Sequence, residues 1–540
     1  SLFLAGEGAA AETIYGRVGP ASLRGAEAVW IERIERLRRL FPGTPLDETE
    51  ALSIAEEIAR SVRPEAIDTE FAPVIDALER RMRVPDVLVA RALAISPPIA
   101  IDDFARHRGP IALVTASLGH GGAERQVAYT AIGLSDCDEI DREVVLVCPN
   151  LVGHNADFFL ADVERHGVQV VSPTADSGST LSDEIRAETD PHRRSVLELL
   201  EAWPPRHGRE RIITYFRTFE RLRPSVAHTW QDKTNVHAGI AAVLAGVPRI
   251  VMSGRSLSPL RFPMDFESDR ELYRMLLGRS EVVLTNNSRA GADDYARWLD
   301  VSPDSIPVIL NGFDFDRIDS HCAAADSAEL RRRLDVPEGA LLIGAVGRMD
   351  EVKRPRLCLE TMRRLLEARP DAYAVMIGGG PMQQEIAELA AATPQASRFR
   401  FPGVLSPVEP WMKLLDLMLL TSRVEGLPNV LVEAQSVGTP VASTDVGGAS
   451  ETFVDGVTGV LLRDERPEAM AAAILEFLGR VEPAATRRVA SEHARATFGM
   501  RRMIDRTRKI LLPPDAATGS PSEADSPVAW QQAQRDARAE

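Results

Sequence analysis

At 540 residues, 44% of them hydrophobic and 26% charged, the chain is too long for one hydrophobic core and has the make-up of a folded globular protein, not a disordered one. Its formal charge of −16 excludes bulk attraction to nucleic acid, which needs a concentrated basic surface. The four cysteines, Cys137, Cys148, Cys322 and Cys358, lack the close pairing of zinc or redox motifs and read as reduced, mostly buried thiols.

Residues 1–105 carry apolar positions at helical spacing, as in AVWIERIERLRRLF and FAPVIDALERRM, broken by prolines, and show no chemical motif. The opening SLFLAGEGAAAETIYG has no basic lead, which argues against a signal peptide. No apolar run reaches the roughly 18 residues of a membrane span, so a cytoplasmic location is expected. From Ile111 the pattern changes to short apolar runs alternating with helical stretches: IALVTAS, EVVLVCP, VQVVSP, SVAH, RIVMS, EVVLTNN and PVILN. This alternation predicts parallel strands with crossover helices. After a polar segment near 314–340 the series restarts with LLIGAVG, YAVMIGG, FRFPGV, LDLMLLTS, PVAST and GVLL, predicting a second α/β unit. Residues 464–511 read as helix apart from a break near Pro483. The stretch 512–540, rich in Pro, Ser, Ala and acidic residues, is expected to be disordered.

In doubly wound sheets, ligands sit outside the carboxyl ends of the strands, so residues following each apolar run are the first candidates. In GAVGRMDEVKRPRLCLE, Gly347 ends a strand, Arg348 follows at once and Lys353 precedes a helix start. Two cations, a glycine and a helix N-terminus suit a diphosphate. In LLTSRVEGLPNVLVEA, Glu425 lies in the loop after a strand and Glu433 in the helix opened by Pro428 and Asn429. Two ionised carboxylates there can accept from a ribose diol or the hydroxyls of a sugar ring. Gly447 and Gly448 follow another strand and precede Glu451, either as an anion-facing pair or as a tight turn. In the first unit, SLGHGGAERQ places Gly119, Gly121 and Gly122 at a helix start, a phosphate-cradle arrangement that is neither a dinucleotide fingerprint nor a Walker A loop.

Taken together, GGAER, GRMDEVKRP, IGGGPMQQEI, EGLPNVLVEA and DVGGASETFVDGVTGVLL resemble the motifs of the retaining glycosyltransferases of GT-B fold, family 4, over about residues 110–510. The resemblance implies two Rossmann-like doubly wound domains facing across a cleft. The domains would be an acceptor domain over 106–312, joined by a returning helix at about 484–511, and a donor domain over 313–483; residues 1–105 would form a helical extension. By position, Arg348 and Lys353 would bind the donor diphosphate and Glu433 the ribose. Glu425 with Gly426, Leu427, Pro428, Asn429 and Val430 would hold the transferred sugar, and the Gly119–Gly122 loop, chiefly Gly121 and Gly122, would close over the diphosphate. Retention of configuration without a metal or cofactor is implied, with a UDP- or GDP-sugar as donor and a glycan or lipid-linked acceptor in polysaccharide or glycoconjugate assembly.

One position departs from the family pattern. Relatives often carry H-T-H after the strand in the acceptor domain, whereas SVAHTWQDKTN has His228 first and Trp230 second. His228 is then either a catalytic group or a buried, hydrogen-bonded strand-end residue, and Asp232 is the other candidate for a polar contact. The Asp314-Phe315-Asp316 triplet reads as a linker and helix start, not a metal site. Rival readings are a GT-B epimerase or phosphorylase and a non-catalytic carbohydrate-binding assembly protein. The basic, aromatic stretch RERIITYFRTFERLRP either packs on its own sheet or rests on the inner membrane face as a peripheral contact, and self-association is left open.

Overall fold

The computed structural model describes residues 84–98, 104, 107–151, 156–173, 180–203, 208–261 and 267–512. Most of the expected helical extension and nearly all of the expected disordered tail therefore lie outside the described residues. Helix Val84–Ile95 falls inside, and it buries Val89 and Ala92 in the core of the first half.

Every strand predicted before PVILN forms. They are β1 (Ile111–Val114), β2 (Val144–Val147), β3 (Gln169–Val171), β4 (Val226–Trp230), β5 (Arg249–Gly254) and β6 (Val282–Asn286), which assemble as an all-parallel sheet in the order β3-β2-β1-β4-β5-β6. PVILN is not a seventh strand: it meets the sheet edge at one bridge between Asn286 and Val308, because Pro307 brings no N–H and only its carbonyl and the Ile309 N–H pair with Asn286. The second series gives β7 (Leu341–Val346), β8 (Ala372–Ile377), β9 (Phe399–Gly403), β10 (Leu417–Leu420), β11 (Val441–Thr444) and β12 (Gly459–Leu462), again parallel, in the order β12-β11-β10-β7-β8-β9.

The apolar alternation along each strand builds a core on both faces of each sheet. In β1, Ala112 and Val114 point into one buried cluster and Ile111 and Leu113 into another; in β8, Ala372, Ala374 and Met376 divide from Val375 and Ile377 in the same way. Both sheets reverse strand order once, between β1 and β4 in the first and between β7 and β10 in the second. Residues beyond those four strand ends are therefore held at topological switch points, where an α/β sheet opens a crevice.

The C-terminal helices join the halves. Helix Pro483–Phe498 packs on helix Asn429–Ser436, with Phe498 and Ala494 buried beside Val432, Leu427 and Phe313. The expected single break near Pro483 is accompanied by a second at Gly499, where Phe313 pairs with the chain in strand fashion, its N–H bonded to Phe498 O at 2.9 Å and its carbonyl to Met500 N at 3.2 Å. The last helix, Met500–Leu511, then lies against helix Gly122–Ser135 of the first half, and Arg249 Nη2 donates to Ile510 O at 2.9 Å. Helix Arg209–Leu222 spends its apolar face on the protein: Ile212, Ile213, Tyr215, Phe216, Thr218 and Phe219 are buried, and it packs along helix Asp232–Leu244. Among the described residues no helix is long and apolar enough to cross a membrane. Asp314 caps helix Phe315–Ala323 by accepting from Arg317 N at 3.0 Å, which is the helix-start role read from the triplet.

Candidate functional site

The strand ends at the two switch points converge. After β7, Arg348 is exposed and donates through Nε to Asp350 Oδ2 at 2.6 Å. Asp350 also accepts from the N–H groups of Val352 and Lys353, both at 3.1 Å, and so shapes the turn that presents Lys353. Lys353 Nζ lies 2.5 Å from Glu425 Oε1, so the candidate phosphate cation and the candidate sugar carboxylate meet directly. Glu433, with a side chain 4% exposed, sits one turn into helix Asn429–Ser436 and pairs at 2.5 Å with Arg125 Nη2 from the opposite sheet's first helix. Burial works against the charge on Arg125, and Glu433, Tyr129 and Glu409 together outweigh it, leaving the guanidinium above its ordinary pKa.

The glycine loop of the first half reaches this place. Gly121 precedes helix Gly122–Ser135, and Asn429 Nδ2 donates to Gly122 O at 3.4 Å, so the two half-sites touch. A Cβ on Gly122 would come within 2.9 Å of Asn429 Nδ2, so the glycine lets the Asn429 side chain approach this loop closely. Gly447 and Gly448 serve close packing: Gly448 N–H is bonded to Gly426 O at 2.7 Å, and a Cβ on Gly447, at φ +49°, would fall 1.9 Å from Glu425 O. The tight-turn reading describes this pair, and the turn buttresses the 425–430 loop.

His228 lies in the middle of the first sheet, paired in register with Leu113 and Val251 and 1% exposed. Contrary to the hydrogen-bonded reading, neither ring nitrogen finds a partner within the protein. Burial, with Arg255 nearby, pulls its pKa down to about 3, so the ring is neutral at physiological pH. Asp232 is bonded within its own half: its Oδ1 accepts from Tyr273 Oη at 2.9 Å and from Tyr295 Oη, and burial raises its pKa.

Several site residues escaped the sequence reading. Arg125 stands three residues after Gly122 and beside Glu124 on a first helical turn, and its partner is 308 residues away in the chain, so the GGAER motif by itself assigns it no contact. Arg354 adopts the left-handed backbone at φ +50° and ties the end of β10 to the start of helix Pro355–Ala368 through Thr421 O at 2.5 Å and Ser422 O at 2.9 Å. Asn311 donates to Asn429 Oδ1 at 2.6 Å, and Arg255 stands directly after β5, a strand-end position that the same rule would have flagged in the first unit. Among the described residues no group of three or more His, Cys, Asp or Glu side chains could hold a metal ion.

Two parallel six-stranded doubly wound sheets, joined face to face by interdomain contacts and a returning helix, define the GT-B fold. Residues 326–496, within the second half, match the family of glycosyl transferases group 1. The Vi polysaccharide biosynthesis protein VipC/TviE of Salmonella typhi is 31% identical over 369 residues, covering 66% of this chain and 62% of that protein. The lipopolysaccharide core mannosyltransferase LpsB of Rhizobium meliloti is 31% identical over 212 residues, covering 38% of this chain and 57% of that protein. The chain thus spans less than two thirds of either relative. Among solved structures, Anabaena HepE in complex with UDP and glucose superposes with a TM-score of 0.59 at 20% identity, covering 75% of this chain and all of that one. WaaG, a glycosyltransferase of lipopolysaccharide biosynthesis, gives 0.51 at 15% identity over 75% of this chain and 100% of that chain.

Proposed function

We propose that the protein is a retaining, nucleotide-sugar-dependent glycosyltransferase that builds a polysaccharide or other glycoconjugate. The observation that carries this reading is the direct pairing of Lys353 with Glu425 beyond the β7 and β10 ends, with Glu433 paired to Arg125 of the other half, in the segment that matches the glycosyl transferases group 1 family. The UDP and glucose bound by HepE and the polysaccharide and lipopolysaccharide roles of VipC/TviE, LpsB and WaaG support it.

The chemical problem is to expel a nucleoside diphosphate while positive charge develops at the sugar. Arg348 and Lys353 stabilise the departing phosphate, a preorganised electrostatic term that is commonly the largest in catalysis. Lys353 is held in place by Glu425 before the donor arrives, which lowers the cost of ordering its long side chain on binding. Glu433 takes the ribose hydroxyls, exchanging or sharing its bond with Arg125. Glu425 and the 426–430 backbone hold the transferred sugar. The Gly119–Gly122 loop closes over the diphosphate from the other domain. Residues 106–312 with the returning helix form the acceptor side and 313–483 the donor side, and the acceptor is a glycan, lipid-linked or other glycoconjugate.

A thermal-shift panel of UDP, GDP and CDP sugars tests this reading, because a ligand that binds the folded state raises its stability by mass action. One nucleotide family is expected to stabilise the wild type, and the Arg348→Ala/Lys353→Ala double variant is expected to lose that shift. Release of free sugar from the matching donor in the absence of acceptor separates the transferase from a non-catalytic binding protein. An unchanged shift in the double variant removes the phosphate site.

A further inference from the structure

At the ends of β4 and β5 the protein gathers polar atoms that it leaves unpaired. Both ring nitrogens of His228, Nε1 of Trp230, Nε of Arg255 and Oδ1 of Asn287 are shielded from solvent and have no hydrogen-bond partner within the protein. His228, Trp230 and Asn287 are 1%, 2% and 3% exposed. They form one group: the His228 and Trp230 rings lie 5.1 Å apart, the Arg255 guanidinium sits 4.3 Å above the indole, and Asn287 Nδ2 donates to Arg255 O at 3.4 Å. Buried polar groups in folded proteins are paired as a rule, so five unpaired atoms at one place point to a ligand and not to packing.

The group faces the sugar-holding loop. Arg255 Nη2 donates to Asn311 Oδ1, and Asn311 Nδ2 in turn donates to Leu427 O at 3.4 Å and Asn429 Oδ1 at 2.6 Å. A Cβ on Gly426 would stand 2.4 Å from Arg255 O and 2.8 Å from Asn287 Oδ1. On the other side, Gln231, next to Trp230, is held at φ +71° and donates to Glu124 Oε1 at 3.2 Å, below the Gly121 loop. A non-glycine residue in such a conformation persists where surrounding structure imposes it, commonly at binding sites.

The charge in this wall is uncompensated. Among the described residues no carboxylate lies within 4.0 Å of Arg255, and Glu124 acts on it only from longer range. His228 is neutral and offers one donor and one acceptor. The diphosphate already has Arg348 and Lys353, which stand beyond β7 on the donor side. A sugar hydroxyl would give Arg255 a hydrogen bond but leave its charge unmatched; a planar carboxylate gives both. The Trp230 N–H supplies a second donor, and Asn287 Oδ1 and His228 can pair with ring hydroxyls.

We propose that Arg255, stacked on Trp230, is the specificity-determining residue for the transferred sugar and selects a donor whose sugar carries a carboxylate, that is, a nucleotide-linked hexuronic acid. This rests on the transferase reading above. It is tested by titrating the full chain with UDP, UDP-glucose, UDP-glucuronic acid and UDP-galacturonic acid, with GDP, GDP-mannose and GDP-mannuronic acid in parallel. The wild type is expected to bind a uronate donor about tenfold or more tighter than its neutral counterpart. Arg255→Met is expected to erase that preference while leaving binding of the plain nucleotide unchanged, which also shows that the variant folds, and Arg255→Lys is expected to keep part of it. Equal affinity for acidic and neutral donors in the wild type overturns the proposal, as does a preference that survives Arg255→Met. Loss of plain-nucleotide affinity in Arg255→Met assigns Arg255 to the diphosphate instead. Failure of every plain nucleotide to bind the wild type is a failure of the transferase reading itself, and the inference falls with it.

Discussion

Two glutamates that share one motif meet two different cations, Glu425 the lysine of its own domain and Glu433 an arginine from across the cleft. Their removal therefore has different consequences. Glu433→Ala takes away the group assigned to the ribose and also leaves Arg125 without its partner, so donor affinity is expected to fall roughly ten- to a hundred-fold, the worth of a charge-assisted bond of about 1.5–3 kcal/mol. Glu425→Ala removes the group that steadies Lys353 and orients the sugar, so turnover is expected to fall more than affinity for the free nucleoside diphosphate, because orientation of the sugar matters most as its bond breaks. Calorimetric titration of the nucleoside diphosphate beside steady-state turnover for each variant separates the two roles. The reverse pattern, with affinity lost in Glu425→Ala and only turnover lost in Glu433→Ala, exchanges the assignments.

The loops that carry these residues are held by backbone more than by side chains. Gly447 has a left-handed backbone, and its Cα faces the Glu425 carbonyl so closely that a Cβ would overlap it at 1.9 Å. Gly447→Ala is expected to cost at least about 1–2 kcal/mol from the backbone conformation alone, and to push the Glu425 loop out of place so that turnover falls with it. Chemical denaturation and turnover on the same preparation check this; a variant that keeps both shows the loop to be more yielding than its geometry. Such pairings mark the boundary of what the sequence makes legible. Strand runs such as LLIGAVG and LDLMLLTS announce themselves by composition and length, and their order yields the strand ends at which Arg348, Lys353 and Glu425 stand. The PVILN run has the same composition and forms no strand, because Pro307 deprives the sheet edge of a donor. Arg125, Arg255 and Asn311 matter through partners more than fifty residues distant, and one-dimensional spacing carries no trace of such contacts.

At the scale of the whole molecule, the halves are joined by a carboxylate that caps a helix of the opposite domain. Helix Arg289–Leu299 begins in the first half, and Ser288 Oγ accepts from its Gly291 N–H at 3.0 Å. The preceding N–H groups, of Arg289 and Ala290, are bonded at 2.8 Å each by Glu451, which follows β11 in the second half. Desolvation raises the Glu451 pKa to about 7 against the favourable pull of those two bonds, with Asp293 adding to the rise and Arg289 opposing it. A carboxyl whose folded pKa lies above its unfolded value binds more protons when folded, so its contribution to stability is fully present below about pH 4.5, declines as pH rises and is lost above about pH 7. Glu451 is half-buried, so the effect is about 1–3 kcal/mol. His228 and His493, both with lowered pKa values, act in the opposite direction in acid, so the wild-type profile alone does not isolate Glu451. The difference between wild type and Glu451→Gln does. Between pH 5 and 8 the wild type is expected to lose stability relative to the variant by that amount, as measured by denaturant unfolding at each pH. Nucleotide that holds the halves together is expected to raise the melting temperature of both proteins, by less in the variant, where an amide presents an N–H to one of the two helix donors. A flat difference across that range shows that Glu451 carries its ordinary pKa and that the cap does not sense protons.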